Sequence, residues 1–342
     1  MSMKRAAWMA VALVGCIPVS AFAAKYAGEF MAIGGGARPL GMGGAFAAVA
    51  SDASSVYWNP AGISGIGKRQ ALAMHSERFG GLVKFNFGSY AQPSQLLGAE
   101  REAAWGLGLI HLGVEDLIVT SHLDLIDSDG DGNLDLVDRS GNILTDADIA
   151  ALPRESDNSF ALLGSFATRT GWGRVGGSLK LIYSDAIAGE SSVGIGIDLG
   201  YLRRDLLFDR LDVGAKLQDA TGTYISWSTG TNEFITPMLK VGAAYTLVSE
   251  RMNGALLLAA DADMFFEDRR TASQFWIEGL SSDLHLGAEL QFQEKVMVRG
   301  GVDGGNPTAG AGVRVSFLGF DYAYLHHDAF EATHRVSVLA DF

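Results

Sequence analysis

The chain has 342 residues, with 44 glycines, 7 prolines and 19 % charged against 48 % hydrophobic residues. That composition excludes a disordered chain, which is poor in apolar residues, and argues against a helical protein, whose helices so much glycine would weaken. The formal charge of −13 argues against a nucleic-acid partner, and a single cysteine, Cys16, leaves no intrachain disulfide.

In chain order, residues 1–23 read as a secretory signal peptide. Lys4 and Arg5 form the positive region, Ala6 to Ile17 the apolar run, and Ala21-Phe22-Ala23 a small-x-small cleavage site. The run is too short for a membrane anchor. Leu13-Val14-Gly15-Cys16 offers lipidation of Cys16 as the alternative. Cleavage after Ala23 removes Lys4 and Arg5 and moves the formal charge from −13 to −15.

Residues 33–62 carry the densest motif, from Ile33 through Arg38, Gly41, Gly43 and Gly44 to Asp52-Ala53 and Tyr57-Trp58-Asn59-Pro60-Ala61-Gly62. No GxxxxGK[ST] pattern marks it as a phosphate loop, so its glycines read as permitting close backbone approach. This block resembles the N-terminal signature of the PorV/PorQ outer-membrane barrels, within the wider FadL-like superfamily of long-chain fatty-acid transporters. Gly41, Gly43 and Gly44 match the glycine-rich turn, Asp52 and Ala53 the Asp-Ala step, and Asn59, Pro60, Ala61 and Gly62 the NPAG motif. The resemblance is specific over residues 30–65 and at the last strand, 333–342, which looks like a barrel-assembly signal. It implies an outer-membrane location in a Gram-negative bacterium, and a lumenal hatch built from residues 24–66. It also implies one of two roles: passive transport of fatty-acid-like hydrophobic molecules, or a place in protein secretion or surface attachment with a secreted protein as cargo.

Residues 67–342 alternate with period two. Val175, Gly177, Leu179, Leu181 and Tyr183 oppose Arg174, Gly176, Ser178, Lys180, Ile182 and Ser184. Val193, Ile195, Ile197 and Leu199 oppose Gly194, Gly196 and Asp198, and Leu284, Leu286 and Leu290 oppose His285, Gly287 and Glu289. A soluble sandwich also alternates. Here the apolar face is nearly free of charge over about ten residues per strand, as lipid requires, and strands in lipid must close into a barrel to pair their backbone groups. The expected fold is therefore all-β, a transmembrane antiparallel barrel of about fourteen strands. They fall near 69–76, 83–91, 103–112, 158–168, 172–184, 191–202, 209–219, 235–247, 253–265, 282–293, 296–303, 309–317, 319–326 and 334–342. The longest connections, 113–157, 220–234 and 266–281, then share one end, the short-inside, long-outside pattern of bacterial barrels.

Within 113–157 lies Asp127-Ser-Asp129-Gly-Asp131-Gly132-Asn133-Leu134-Asp135-Leu-Val-Asp138. Oxygen ligands at positions 1, 3, 5, 9 and 12, with the Asn133 carbonyl at 7 and Gly132 at the sharp turn, match a calcium loop. Asp138 stands where the pattern has Glu, which favours one-oxygen contact. Calcium is the expected structural cofactor. The other long connections carry Tyr224, Trp227, Phe234, Phe275 and Trp276, either an apolar entrance groove or part of the interfacial aromatic girdle. Lys180, Lys216, Lys240, Arg299, Arg314 and Arg335 are read as pairing with Asp198, Asp212, Asp261, Asp263, Glu289 and Asp303 across strands. His326-His327-Asp328 is a weak metal candidate, and no GxSxG or triad marks an enzyme. The expected partners are outer-membrane lipid, the barrel assembly machinery and a hydrophobic molecule or secreted protein. Calorimetry should show calcium binding with a Kd of about 10⁻⁴–10⁻³ M; no heat at millimolar calcium would remove the site.

Overall fold

The computed structural model describes residues 28–98, 101–120, 123–126, 135–138, 140–249, 253–270, 272–326 and 332–342. The signal-peptide reading and residues 24–27 of the N-terminal block fall outside these. No helix among the described residues is long and apolar enough to cross a membrane.

Fourteen staves close an antiparallel barrel. They are β1 (Gln70–Arg78), β2 (Val83–Pro93), β3 (Ala103–Ile118), β4 (Arg154–Thr170), β5 (Gly173–Asp185) and β6 (Ser191–Asp205), followed by β7 (Leu211–Gln218 with Thr223–Trp227) and β8 (Asn232–Ile235 with Met238–Ser249). The circuit continues with β9 (Gly254–Phe265), β10 (Leu280–Phe292), β11 (Val296–Asp303), β12 (Asn306–Val315), β13 (Leu318–Leu325) and β14 (Thr333–Asp341). Each stave pairs with its sequence neighbours, and β1 closes the ring on β14 from Gln70↔Asp341 to Glu77↔His334. Closure leaves no strand edge unpaired, which lipid would penalise heavily.

The burial pattern is inverted relative to a water-soluble protein. On β5, Lys180 is 2 % exposed while Leu181 beside it is 45 % exposed. On β6, Asp198 is buried while Val193, Ile195, Ile197 and Leu199 face out. Apolar side chains on the outer surface and charges on the inner one is the arrangement a bilayer stabilises.

Three expected connections are shorter than the sequence suggests. The strand pair β3 and β4 extends well past the expected ends, so their link is 119–153. The connection 220–234 is mostly strand. Thr223–Trp227 pairs with Asn232–Ile235 and with β6, because a bulge at residues 219–222 carries the chain past Asp198 and returns it to the ladder. Within 266–281, Phe275–Ile277 forms a hairpin with the start of β10. In each case available neighbour backbone groups extend the ladder beyond the apolar band.

Residues 28–66 lie inside the barrel as short turns of helix: Glu29–Ile33, Ala37–Gly41, Ser55–Trp58 and Pro60–Gly65. Ala37, Met42, Ala45, Phe46, Val56 and Ile63 have no exposed surface. Backbone meets backbone at Gly43 and Gly301. Gly43 has φ +64°, and a Cβ on it would sit 2.6 Å from the Val302 backbone. A Cβ on Gly301 would sit 2.6 Å from the Gly43 nitrogen. Replacing Gly301 by valine should therefore destabilise the folded barrel by about 1–3 kcal/mol. A heat-modified electrophoretic shift at lower temperature would show it.

Candidate functional site

The N-terminal segment is held by polar anchors that reach across the lumen. Arg38 grips Glu289 of β10 with two hydrogen bonds, at 2.9 and 2.8 Å, and reaches Asp52 at 3.3 Å. Glu289 also accepts from Arg299 of β11 at 2.6 Å, Arg299 donates to Asp321 of β13 at 2.8 Å, and Asp321 takes Arg314 of β12 at 3.0 Å. This forms one chain of alternating charge from the segment into four staves. Bidentate guanidinium–carboxylate pairs are among the strongest polar contacts, and their geometry fixes orientation.

Asp261 of β9 caps the segment's middle, one carboxylate oxygen accepting from the Phe46 and Ala47 backbone N–H groups at 2.8 Å each. His285 of β10 meets the Gly43 carbonyl at 3.0 Å and Asp303 of β11 at 3.0 Å. Lys180, Asp198, Asp219 and Lys216 form a second buried network, and Lys216 donates to the Tyr57 carbonyl at 2.7 Å. Lys240 pairs with Asp263.

The motif residues fall into this framework. Asn59 Nδ2 donates to the Ala47 carbonyl at 2.7 Å and the Tyr201 carbonyl at 3.0 Å, and its Oδ1 accepts from Ala61 N–H at 3.2 Å. It thus ties the segment to itself and to β6, with Pro60 opening the next helical turn. Asp52 Oδ1 accepts from Ser54 N–H at 2.9 Å while Oδ2 faces Arg38. Gly41 packs on Gly310 of β12, Gly44 lies beside His285, and Gly62 rests on the Ala50 carbonyl.

At the end bearing the long connections, two cavities open between segment and wall. The outer one, about 240 Å³, is bounded by Met31, Phe234, Ile235 and Met238 with Glu29, Asp219, Glu233 and Glu267. The inner one, about 160 Å³, lies against Ile33, Leu40, Tyr57, Trp58, Lys240 and His285. Ala32, Gln218, Met238, Phe265 and Arg269 form a common wall of both. Arg269 lies over the Phe265 ring at 4.1 Å from its centroid.

The five aromatics of the sequence-predicted groove divide between the two faces of the wall. Tyr224 and Phe234 are a cross-strand pair level with outward Ile195, and Phe234 also borders the outer cavity. Trp227 pairs with buried Ser192 and donates from Nε1 to Glu233 at 3.0 Å. Phe275 continues the outward stripe of β10, being opposite Ser282. Trp276 lies under the Arg270 guanidinium at 4.7 Å. The cavity linings Met31 and Met238 were not singled out by sequence. Inward strand parity would have indicated Asp321, but no sequence signal points Arg38 at Glu289.

Of the expected calcium ligands, Asp127, Asp129, Asp131 and Asn133 lie outside the described residues, as do His327 and Asp328 of the weaker candidate. Asp124–Ile126, just before the 127–138 segment, pairs antiparallel with Asp135–Val137 inside it. Asp138 Oδ1 accepts from Ser140 and Asn142 backbone N–H at 2.7 and 3.0 Å, and Oδ2 from Asn142 Nδ2 at 2.9 Å. The Asn142 side chain and backbone hold its carboxyl below the ordinary value of 3.8. Downstream, Thr145 and Asp148 cap the helix Asp146–Ala150 reciprocally.

Glu289→Ala would leave Arg38 and Arg299 facing each other. It should cost about 3–5 kcal/mol in unfolding free energy, against under about 1 kcal/mol for the exposed Glu115→Ala, measured by urea unfolding in detergent.

No family model matches the chain, and no curated protein matches it. Among solved structures, the barrel is similar to the toluene transporter TbuX of Ralstonia pickettii, with TM-score 0.51 and 13 % identity over 90 % of this chain and 98 % of that one. It is also similar to the CymD monoaromatic hydrocarbon channel, at TM-score 0.55 and 14 % identity over 91 % and 98 %. A FadL homologue of Pseudomonas aeruginosa gives TM-score 0.50 and 12 % identity over 88 % and 96 %. At these identities the likeness establishes the fold.

Proposed function

We propose that this chain is an outer-membrane barrel through which hydrophobic small molecules cross passively. The observation that carries the reading is the pair of adjoining cavities between the internal segment and the wall, at the long-connection end, with Ala32, Met238 and Phe265 at their junction. An apolar molecule entering there exchanges water for methionine and aromatic surface, worth about 25 cal/mol per Å² buried. Onward passage needs residues 28–66 to shift as a hatch. The anchors to Glu289, Asp261 and His285 are the contacts such a shift breaks or bends. The inverted burial pattern supports placement in a bilayer, and the similar structures are named as hydrocarbon channels and transporters. The resemblance of residues 30–65 to PorV/PorQ barrels belongs to this proposal. Calcium held by the 127–138 loop would order the external connection, with Asp138 giving a single oxygen.

A second reading, a component of protein secretion or surface attachment, is favoured by the exposed apolar hairpin of Phe275, Ile277 and Leu280. Proteoliposome uptake of a hydrophobic probe such as toluene tests the first. Met238→Lys should slow uptake about tenfold, equivalent to about 1.4 kcal/mol, and deletion of 30–62 should raise leakage of small polar solutes. Uptake no faster than in protein-free vesicles, with a stoichiometric protein companion on gentle extraction, would move the assignment to the second.

A further inference from the structure

Among the described residues, the lumenal cations are matched to carboxylates, with two exceptions. Lys180, Lys216, Lys240 and Arg299 each have a buried acidic partner within 4 Å. Arg335 of β14 has none. Its side chain points inward, it is 1 % exposed, and its Nε and Nη1 lack any hydrogen-bond partner. The second exception is Arg78 of β1. Arg335 stands opposite Ser76 in the closing ladder, and Arg78 is two residues further along the same inward face of β1. That diagonal spacing is within reach of long side chains. Arg78 is partly exposed toward the lumen, and its Nε is also unpartnered. The nearby carboxylate, Asp303, is already engaged by His285 at 3.0 Å.

Two neighbouring guanidiniums, one buried and one half-buried, repel each other, and each leaves an N–H group stripped of water without replacement. The barrel tolerates this beside the seam where its first and last strands meet, while the rest of the lumen is neutralised pair by pair. We propose that Arg335 and Arg78 form an oxyanion site: a carboxylate, phosphate or sulfonate group seated between them on the unpartnered N–H groups. Its chemistry is that of charge-assisted, fork-shaped recognition. The anion comes either free or as the head of an amphiphile whose tail occupies the lumen. The inference goes beyond the transport reading, since a channel for neutral hydrocarbon needs no buried cation.

The test is calorimetry on the full chain refolded in neutral detergent, with inorganic phosphate, dodecyl phosphate and dodecane as probes, comparing wild type with Arg78→Gln, Arg335→Gln and Arg335→Lys. The heat-modified electrophoretic shift confirms that each variant is folded, and Arg78→Gln, at the more exposed position, serves if Arg335→Gln does not refold. Binding of phosphate and dodecyl phosphate alike, weakened about tenfold or more in each Gln variant and by added salt, assigns a free oxyanion. Binding of dodecyl phosphate alone, with the same losses, assigns an amphiphile head. Arg335→Lys should recover part of either, because charge returns without the fork. Oxyanion binding that is absent, or unchanged in the Gln variants, overturns the site. Dodecane binding reports on the transport reading separately, since neither Gln substitution should alter it.

Discussion

The constraint on which the structure depends is that a backbone amide in hydrocarbon has nothing but protein to bond. From it follow the closed ladder of fourteen staves and the pairing of β1 with β14. It also follows that successive side chains divide between lipid and lumen. The outward set is satisfied by being apolar. The inward set cannot all be apolar without leaving the barrel indifferent to which face is which, and here it carries lysine, arginine, aspartate and glutamate. The charge therefore has to be neutralised inside a narrow lumen.

The N-terminal segment takes part in that neutralisation. It brings Arg38 to Glu289, backbone N–H groups to Asp261, and carbonyls to Lys216 and His285. Wall side chains satisfy part of its polar backbone, and the segment meets some of the wall's charges, the rest pairing with one another except at Arg335 and Arg78. Buried ionic contacts of this kind contribute less to net stability than to uniqueness of arrangement, because desolvation offsets much of the attraction. They are also contacts that a conformational shift can exchange for water. The segment is held both by directional ion pairs and by an apolar cluster that joins Met42, Val56 and Ile63 to Phe85, Phe87, Ile110 and Leu163 of the wall.

The segment's rings pack edge to face, Phe46 and Tyr57 each against Trp58, and cations lie over them, Arg38 over Phe46 and Lys240 over Trp58. The inner cavity lies where Tyr57 and Trp58 meet the charged wall at Lys240, Asp263 and His285.

The strand count and nearly every stave were legible in the sequence, because lipid enforces strict two-residue alternation and a one-residue slip would put Lys180 or Asp198 in hydrocarbon. What the sequence did not disclose is which charge meets which. Arg38 and Glu289 are 251 residues apart, and Arg335, expected to pair with a carboxylate, has none within reach among the described residues. The split of β7 around residues 219–222, and the division of Tyr224, Trp227, Phe234, Phe275 and Trp276 between the two faces, were equally hidden. Alternation fixes the face of each residue relative to its immediate neighbours, but shear and closure decide which inward residues share a level of the lumen. The sequence by itself determined a closed, inside-out barrel; only the tertiary structure decided the partners within, because those depend on register summed around the whole ring.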